Sequence, residues 1–134
     1  MKFINILLAT AISATISFAA TAEEINMKAM AGMESGLNNI QKGFLYNNID
    51  LVKHGAKQIS TENKIYHDKK MIKSILPKGK QQMQNIAMIS SQRIDNALSE
   101  LKTYIELKDM RKAQDSYVHV VKACTDCHSI VRGW

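Results

Sequence analysis

The chain has 134 residues, of which 46% are hydrophobic and 22% are charged, and it contains one proline, six glycines and two cysteines. This length suits a single domain, and the hydrophobic content is too high for a disordered protein. Two cysteines are too few for a disulfide scaffold, so a hydrophobic core must stabilise the fold. The formal net charge is +6, but basic residues do not alternate with aromatic ones, and we expect no nucleic-acid binding.

The N-terminal segment has the features of a signal peptide. Lys2 precedes an apolar run from Phe3 to Ala20, and the run ends at the small-x-small site Ala20-Thr21-Ala22. We assign residues 1–22 to a cleaved signal peptide and residues 23–134 to the mature domain, which we expect in the periplasm. An uncleaved membrane anchor is the alternative. Because no second run of about 18 apolar residues follows, we expect no stable membrane insertion after cleavage.

The mature segment opens with two predicted helices. The first spans roughly residues 24–44, where apolar side chains recur at steps of three and four: Met27, Met30, Met33, Leu37, Ile40 and Phe44. The second spans roughly residues 47–60 and has the same spacing at Ile49, Val52, Ala56 and Ile59. The link between them is short, which predicts antiparallel neighbours.

Residues 61–80 are rich in lysine and contain the one proline, Pro77. We predict that this segment is a crossover loop. Its lysines form either a solvated surface or a docking surface, and its apolar side chains should cover the end of the core. These are Ile65, Tyr66, Met71, Ile72, Ile75 and Leu76.

Two further helices are predicted downstream. The third spans roughly residues 81–106, and its buried candidates are Met83, Ile86, Ile89, Ile94, Leu98, Leu101 and Ile105. The fourth spans roughly residues 108–132, and its apolar stripe is Met110, Ala113, Tyr117, Val120, Cys124, Cys127 and Val131. Both cysteines therefore belong to the inward face. Four amphipathic helices with one longer crossover between the second and third predict an all-α, antiparallel four-helix bundle.

The motif Cys124-Thr125-Asp126-Cys127-His128 has the C-x-x-C-H pattern of covalent haem attachment. On a helix, residues three apart share a face, so both thiols can add to haem vinyl groups while the adjacent imidazole binds the iron. We expect one haem c. A thioredoxin-type redox pair would need a βαβ setting that is absent, zinc would need a fourth ligand, and a disulfide here would constrain little.

Only six residues follow His128, and none of them is methionine. A sixth iron ligand must therefore come from upstream. The first helix is the expected source because its apolar stripe holds three methionines. His67 in the crossover segment is the alternative ligand, whereas His54 and His119 are expected at the surface.

The whole mature segment resembles the cytochrome c prime family, the class II c-type cytochromes with a C-terminal attachment helix. Met27-Lys28-Ala29-Met30-Ala31-Gly32 is similar to the family's first-helix pattern of Met or Leu, Lys, x, Met, Gly, Gly. Cys124 to Arg132 is similar to its C-x-x-C-H-x-x-aromatic-Arg pattern. The chain departs from the family at Glu23, where an arginine usually pairs with a propionate, and at Val131, which replaces the aromatic residue.

The resemblance implies a site of five residues. Cys124 and Cys127 would attach the haem and His128 would bind the iron. Met27 would face the distal side, where the family has either a bulky apolar residue or a methionine that binds iron. Arg132 would lie near the proximal imidazole; a charge that suits the helix C-terminus is the alternative explanation. Met30 and Met33 are expected in the core.

The coordination of the iron separates two functional hypotheses. If Met27 binds, the His/Met ligand pair favours electron transfer, and the protein is a periplasmic electron carrier that docks with redox partner proteins. If Met27 only packs above the iron, the alternative is a five-coordinate cytochrome that binds NO or CO. We expect no enzymatic activity in either case. The family often forms dimers through the first two helices, and a homodimer and a monomer are both compatible with this sequence.

Overall fold

The computed structural model describes residues 20–133, so all but the last three residues of the predicted signal peptide, 1–22, lie outside the described part. Within 20–133 the regular structure is entirely helical, which confirms the all-α prediction. The five α-helices are α1 (Ala22–Leu45), α2 (Ile49–Asn63), α3 (Lys69–Ile75), α4 (Gln84–Glu106) and α5 (Met110–His128). None of the described helices is both long and apolar enough to traverse a bilayer.

α1 begins two residues earlier than predicted because a capping box fixes its first turn. The Thr21 hydroxyl accepts from the backbone N–H of Glu24, and the Glu24 carboxylate accepts from the Thr21 N–H at 2.8 Å. At the other end, Asn48 caps α2 by accepting from the N–H of Leu51 at 3.0 Å. The short link between α1 and α2 therefore forms as predicted.

α1 and α2 pack as an antiparallel pair that depends on glycine. A Cβ atom on Gly36 would lie 2.8 Å from the carbonyl oxygen of Gly55, and a Cβ atom on Gly55 would overlap the carbonyl oxygen of Gly36. The side chains of Ile40 and Ile59 adjoin the same contact. The two backbones can approach this closely only because neither glycine carries a side chain.

We expect Gly55→Ala to lower the free energy of unfolding by about 1–3 kcal/mol, the usual cost of overpacking a core. This loss should appear even though alanine favours a helix over glycine by about 1 kcal/mol. The matched control is Gly32→Ala on α1, whose new Cβ atom would meet the Glu62 side chain. That side chain can move, so the control should be neutral or slightly stabilising. Equal losses in urea denaturation of the two variants would contradict the close packing of α1 and α2.

The prediction of a crossover loop at 61–80 is wrong for most of its length. α2 continues to Asn63, a 3₁₀ turn spans Lys64–His67, and α3 follows. Asp68 is the N-cap of α3, and its carboxylate accepts from the N–H of Lys70 at 2.7 Å. Five of the six predicted apolar side chains of the segment cover the core: Tyr66, Ile72 and Leu76 are buried, and Ile65 and Ile75 pack against the core. Met71 is only partly buried and is not part of this cluster.

The inward face of α4 differs from the prediction in its N-terminal half. The sequence predicts Met83, Ile86 and Ile89 to be buried, but Met83 is only partly buried, and Ile86 and Ile89 are 36% and 52% exposed. The buried positions there belong to small side chains, Ala87, Ser90 and Ser91. Farther along α4 the prediction holds, because Ile94, Leu98, Leu101 and Ile105 are all buried. The small residues leave space beside α5.

Candidate functional site

A cavity of about 580 Å³ lies where residues of α1, α4, α5 and the 3₁₀ turn after α2 converge. Cavities that bind small molecules or cofactors commonly measure about 300–1,000 Å³. All five of the side chains predicted to form the site line this cavity: Met27, Cys124, Cys127, His128 and Arg132. The fold therefore brings the C-x-x-C-H motif and a methionine nearly one hundred residues upstream to one place.

The two cysteines lie on one face of α5, half-buried and packed against the core, and both are free thiols. Burial raises the pKa of Cys124 to about 11. Burial also raises the pKa of Cys127, although a hydrogen bond with the Ser90 side chain opposes this rise. Both thiols are therefore neutral at pH 7.

His128 is the last residue of α5, and a π-helical turn from Ser129 to Gly133 follows it. π-Helical turns are rare and occur often at functional sites. Lys80 holds this turn by donating from Nζ to the carbonyl oxygen of Ile130 at 3.2 Å. The C-terminal turn is thus tied to the segment that leads into α4.

Burial lowers the pKa of His128, and the positive charge of Arg132 lowers it further. Arg132 follows His128 by four residues and lines the same cavity. A neutral imidazole keeps a free nitrogen lone pair, and this is the form that binds a metal ion.

Met27 lies in the second turn of α1, and its side chain is 58% exposed. Met33 is buried in the core and Met30 packs against it, as predicted for both. The side chain of Met27 is therefore the least constrained by packing of the three. Met27 also lines the cavity, and methionine side chains are unbranched with three rotatable bonds.

The side chain of Asn26, the residue before Met27, is tied to the cavity wall. Tyr66, which lines the cavity, donates from its hydroxyl to Oδ1 of Asn26 at 2.7 Å. Burial raises the pKa of Tyr66, so its hydroxyl stays protonated and remains a donor. This hydrogen bond links the first turns of α1 to the 3₁₀ turn after α2.

The structure does not bring the alternative ligand His67 to this cavity. His67 Nε2 lies 2.7 Å from Asp95 Oδ2, and both residues line a separate groove of about 710 Å³ between α2 and α4. His54 and His119 are exposed, as predicted. Within residues 20–133, no three or more His, Cys, Asp or Glu side chains are grouped so that they could hold a metal ion.

Several residues of the cavity wall were missed by the sequence analysis. Asn63 and Tyr66 line it from the end of α2 and the following turn, and Ala87, Ser90 and Ser91 line it from α4. The small side chains of α4 stand three and four residues apart and in phase with Ile94, and this spacing was the available signal. A prediction that assigns the most hydrophobic side chains of this helix to the interior chooses Ile86 and Ile89 as the buried positions instead.

Comparisons of the chain with protein-family models, with curated proteins and with solved structures find no match.

Proposed function

We propose that this chain is a periplasmic monohaem c-type cytochrome that carries electrons, with the haem attached to Cys124 and Cys127 and bound by His128 and Met27. The observation that carries the proposal is the shared cavity. A C-x-x-C-H motif alone could serve other purposes, but here it lines a cofactor-sized space together with a methionine from another helix. A carrier needs no catalytic group, and we propose none.

We propose that α1, α2, α4 and α5 form an antiparallel four-helix bundle of the cytochrome c prime kind, with α3 in the crossover. The pairing of α1 with α2 through glycines supports it, as does the pairing of α4 with α5, where Arg93 Nη1 lies 2.9 Å from Asp126 Oδ2. Asn63 of α2 bonds to Ser91 and Asp95 of α4 and so joins the two pairs. Haem sites in such bundles are built from side chains of facing helices.

The donor set of the cavity fits a haem. Two neutral thiols three residues apart suit addition to two vinyl groups, and a neutral imidazole and a thioether are a common pair of axial iron ligands. When bound, the haem would supply one-electron redox chemistry. The small side chains of α4 leave room for a planar group beside α5.

The chain's own residues would orient this group and admit a partner. The π-helical turn and Lys80 hold the segment after His128, and the bond between Tyr66 and Asn26 holds the turn that bears Met27. Met27 and Arg132 are exposed at the cavity, so a partner protein can approach it. The net charge of +6 falls to +5 when Lys2 is removed with the predicted signal peptide, and this positive charge would favour partners with acidic surfaces.

The exposure of Met27 favours a second candidate function, binding of NO or CO. A methionine that is 58% exposed has few packing contacts to lose if its side chain turns away from the cavity. The distal side would then be bordered by apolar groups such as Met30 and Leu37, which suit small uncharged gases.

The test is to express the full chain with a c-type maturation system and purify the periplasmic fraction. We expect a coloured protein whose mass, under denaturing conditions, exceeds that of the processed polypeptide by one haem. A sharp, split α/β spectrum of the ferrous protein that does not change under CO would support the electron carrier. A broad spectrum that shifts with CO would support gas binding, and a colourless protein of polypeptide mass would overturn both.

A further inference from the structure

The groove of about 710 Å³ between α2 and α4 shares no lining residue with the cavity of the proposed haem site. It follows α4 from Asp95 to Glu106, which is about 16 Å of helix. Small side chains line it from both helices, Ala56 and Ser60 on α2 and Ser99 on α4, and they leave the space open. Sites for small molecules commonly measure about 300–1,000 Å³. The groove therefore has the size and the elongated form of a site for a small linear molecule.

Lysines form the rim of this groove. Lys53, Lys57 and Lys64 line it from α2 and the following turn, all of them exposed. None of these three lysines forms an ion pair with a residue in the described range 20–133. Lys53 and Lys57 are four residues apart, so they share a face of α2, and like charges at this spacing repel each other. An anion bound beside them would relieve this repulsion.

The two carboxylates that line the groove already have partners. Asp95 Oδ2 lies 2.7 Å from His67 Nε2, and Asp95 Oδ1 accepts from the Asn63 amide at 2.9 Å. Glu106 Oε1 lies 4.0 Å from Nζ of Lys102, which is one turn earlier on α4 and also lines the groove. The lysines of α2 are therefore available to an anion from outside the chain.

Between its charged groups the groove is apolar. Ala56 is half-buried, and Leu98 and Ile105 line the groove with 6% of each residue exposed. The methylene stems of the lysines add apolar surface, because lysine side chains lie along apolar groups and keep their charged ends in water. A hydrated inorganic anion would leave this surface uncovered, whereas an anion with a hydrocarbon chain would bury it. The ligand that fits has a negative head and an apolar body.

We propose that the groove between α2 and α4 binds a single-chain amphipathic anion, of which a fatty carboxylate is the simplest example. The hydrocarbon chain lies beside Leu98 and Ile105, and the head group binds to the lysines of α2. The elongated form of the groove suits one free carboxylate with one chain better than a membrane phospholipid, which has two chains. This binding involves no covalent or redox step and does not depend on the proposed haem.

The direct test is isothermal titration calorimetry of the purified full-chain product with dodecanoate below its micelle concentration. We expect one molecule to bind per chain, and more weakly at high salt, because salt screens the attraction to exposed lysines. Dodecyltrimethylammonium has the same chain and the opposite charge, and it should not bind. No saturable binding of dodecanoate, or equal binding of the two probes, would overturn the proposal. Binding to phosphatidylglycerol vesicles without binding of monomeric dodecanoate would overturn it as well.

The variant that removes the cationic rim is Lys53→Gln/Lys57→Gln/Lys64→Gln. Its control removes the same charge from three exposed lysines of α3 that do not line the groove: Lys69→Gln/Lys70→Gln/Lys73→Gln. We expect the rim variant to weaken dodecanoate binding about tenfold and the control to weaken it less than about twofold, since exposed ion pairs contribute only when they are close. Equal affinities of the two variants would place the anion elsewhere and overturn the proposal.

The variant that fills the groove is Ser99→Leu, at an exposed position that lines it. Leucine favours a helix more than serine does, so α4 should be kept. The control is Asn96→Leu, which adds an exposed leucine to the same helix outside the groove. We expect Ser99→Leu to weaken dodecanoate binding about fivefold or more, because its side chain occupies the space of the ligand. Equal binding by the two leucine variants would overturn the proposal.

The mass and colour of the same samples report separately on the proposed function. A colourless protein that binds dodecanoate through the lysines of α2 would refute the cytochrome and keep the anion site. A haem-loaded protein that does not bind dodecanoate would keep the cytochrome and refute the anion site.

Discussion

Replacing both motif cysteines, Cys124→Ala together with Cys127→Ala, is expected to abolish covalent haem attachment. The double variant should lose its colour on denaturing gel filtration and should have the mass of the polypeptide alone. The physical reason is that only these two thiols of the chain can form thioether bonds, because the chain has two cysteines. The proposed coordination by His128 and Met27 would not survive denaturation. Mass spectrometry and haem staining of denatured protein measure the loss.

The matched control for this experiment is Thr125→Ala, which lies between the two cysteines. Its hydroxyl donates to the carbonyl oxygen of Lys122 at 3.0 Å, a bond within the helix. The control should therefore keep the haem at the level of the unchanged protein. Haem retained covalently by the double variant, or lost from the control, would contradict the assignment of the attachment site.

The inward position of the motif could be predicted from the sequence because its helix has an unbroken apolar period. Ala113 and Val120 recur at the same spacing as the cysteines, and both are buried. Cys124 follows Val120 by four residues and Cys127 follows Cys124 by three, so both cysteines lie on the same face of the helix as Val120. α1 follows the same rule up to its N-terminal end, where Met27 remains exposed.

The pattern fails where the interior is not filled by apolar side chains. Ser90 and Ser91 are buried, while Ile89 beside them is half exposed, because the wall of a cavity needs small groups rather than large ones. A hydrophobicity scale would predict the reverse, with Ile89 buried and the two serines exposed. The error in α4 thus falls on residues that line or adjoin the candidate site, where local rules and function are expected to diverge.

The individual polar contacts between helices could not be predicted from the sequence. Asp126, inside the motif, accepts from Arg93 on α4 at 2.9 Å, and this hydrogen bond lowers its pKa together with the charge of Lys122. The sequence makes His67 a candidate ligand because a crossover loop could reach the iron where a helix cannot. In the structure Asp68 caps the N-terminus of α3, and His67 lies in the 3₁₀ turn before it. The His67 imidazole forms an ion pair with Asp95 instead of reaching the cavity.

Met27→Leu is expected to convert the spectrum of the haem-loaded protein from low-spin to high-spin. If the thioether binds the iron, leucine removes the ligand while keeping nearly the same volume. The sharp, split α/β bands of the ferrous protein should become a broad high-spin spectrum that shifts under CO. Because the side chain is 58% exposed, the free energy of unfolding of the polypeptide should change by less than about 1 kcal/mol from lost packing.

The control for this substitution is Met30→Leu, one turn farther along α1. Met30 lines the same cavity and packs against the core, so it tests for effects of altered volume without removing the proposed ligand. Its spectrum should stay low-spin and insensitive to CO. A low-spin spectrum in Met27→Leu would remove Met27 from the iron, and a high-spin spectrum in Met30→Leu alone would transfer the ligand assignment to that residue. Conversion in Met27→Leu alone would establish the thioether of α1 as the sixth ligand and favour electron transfer over gas binding.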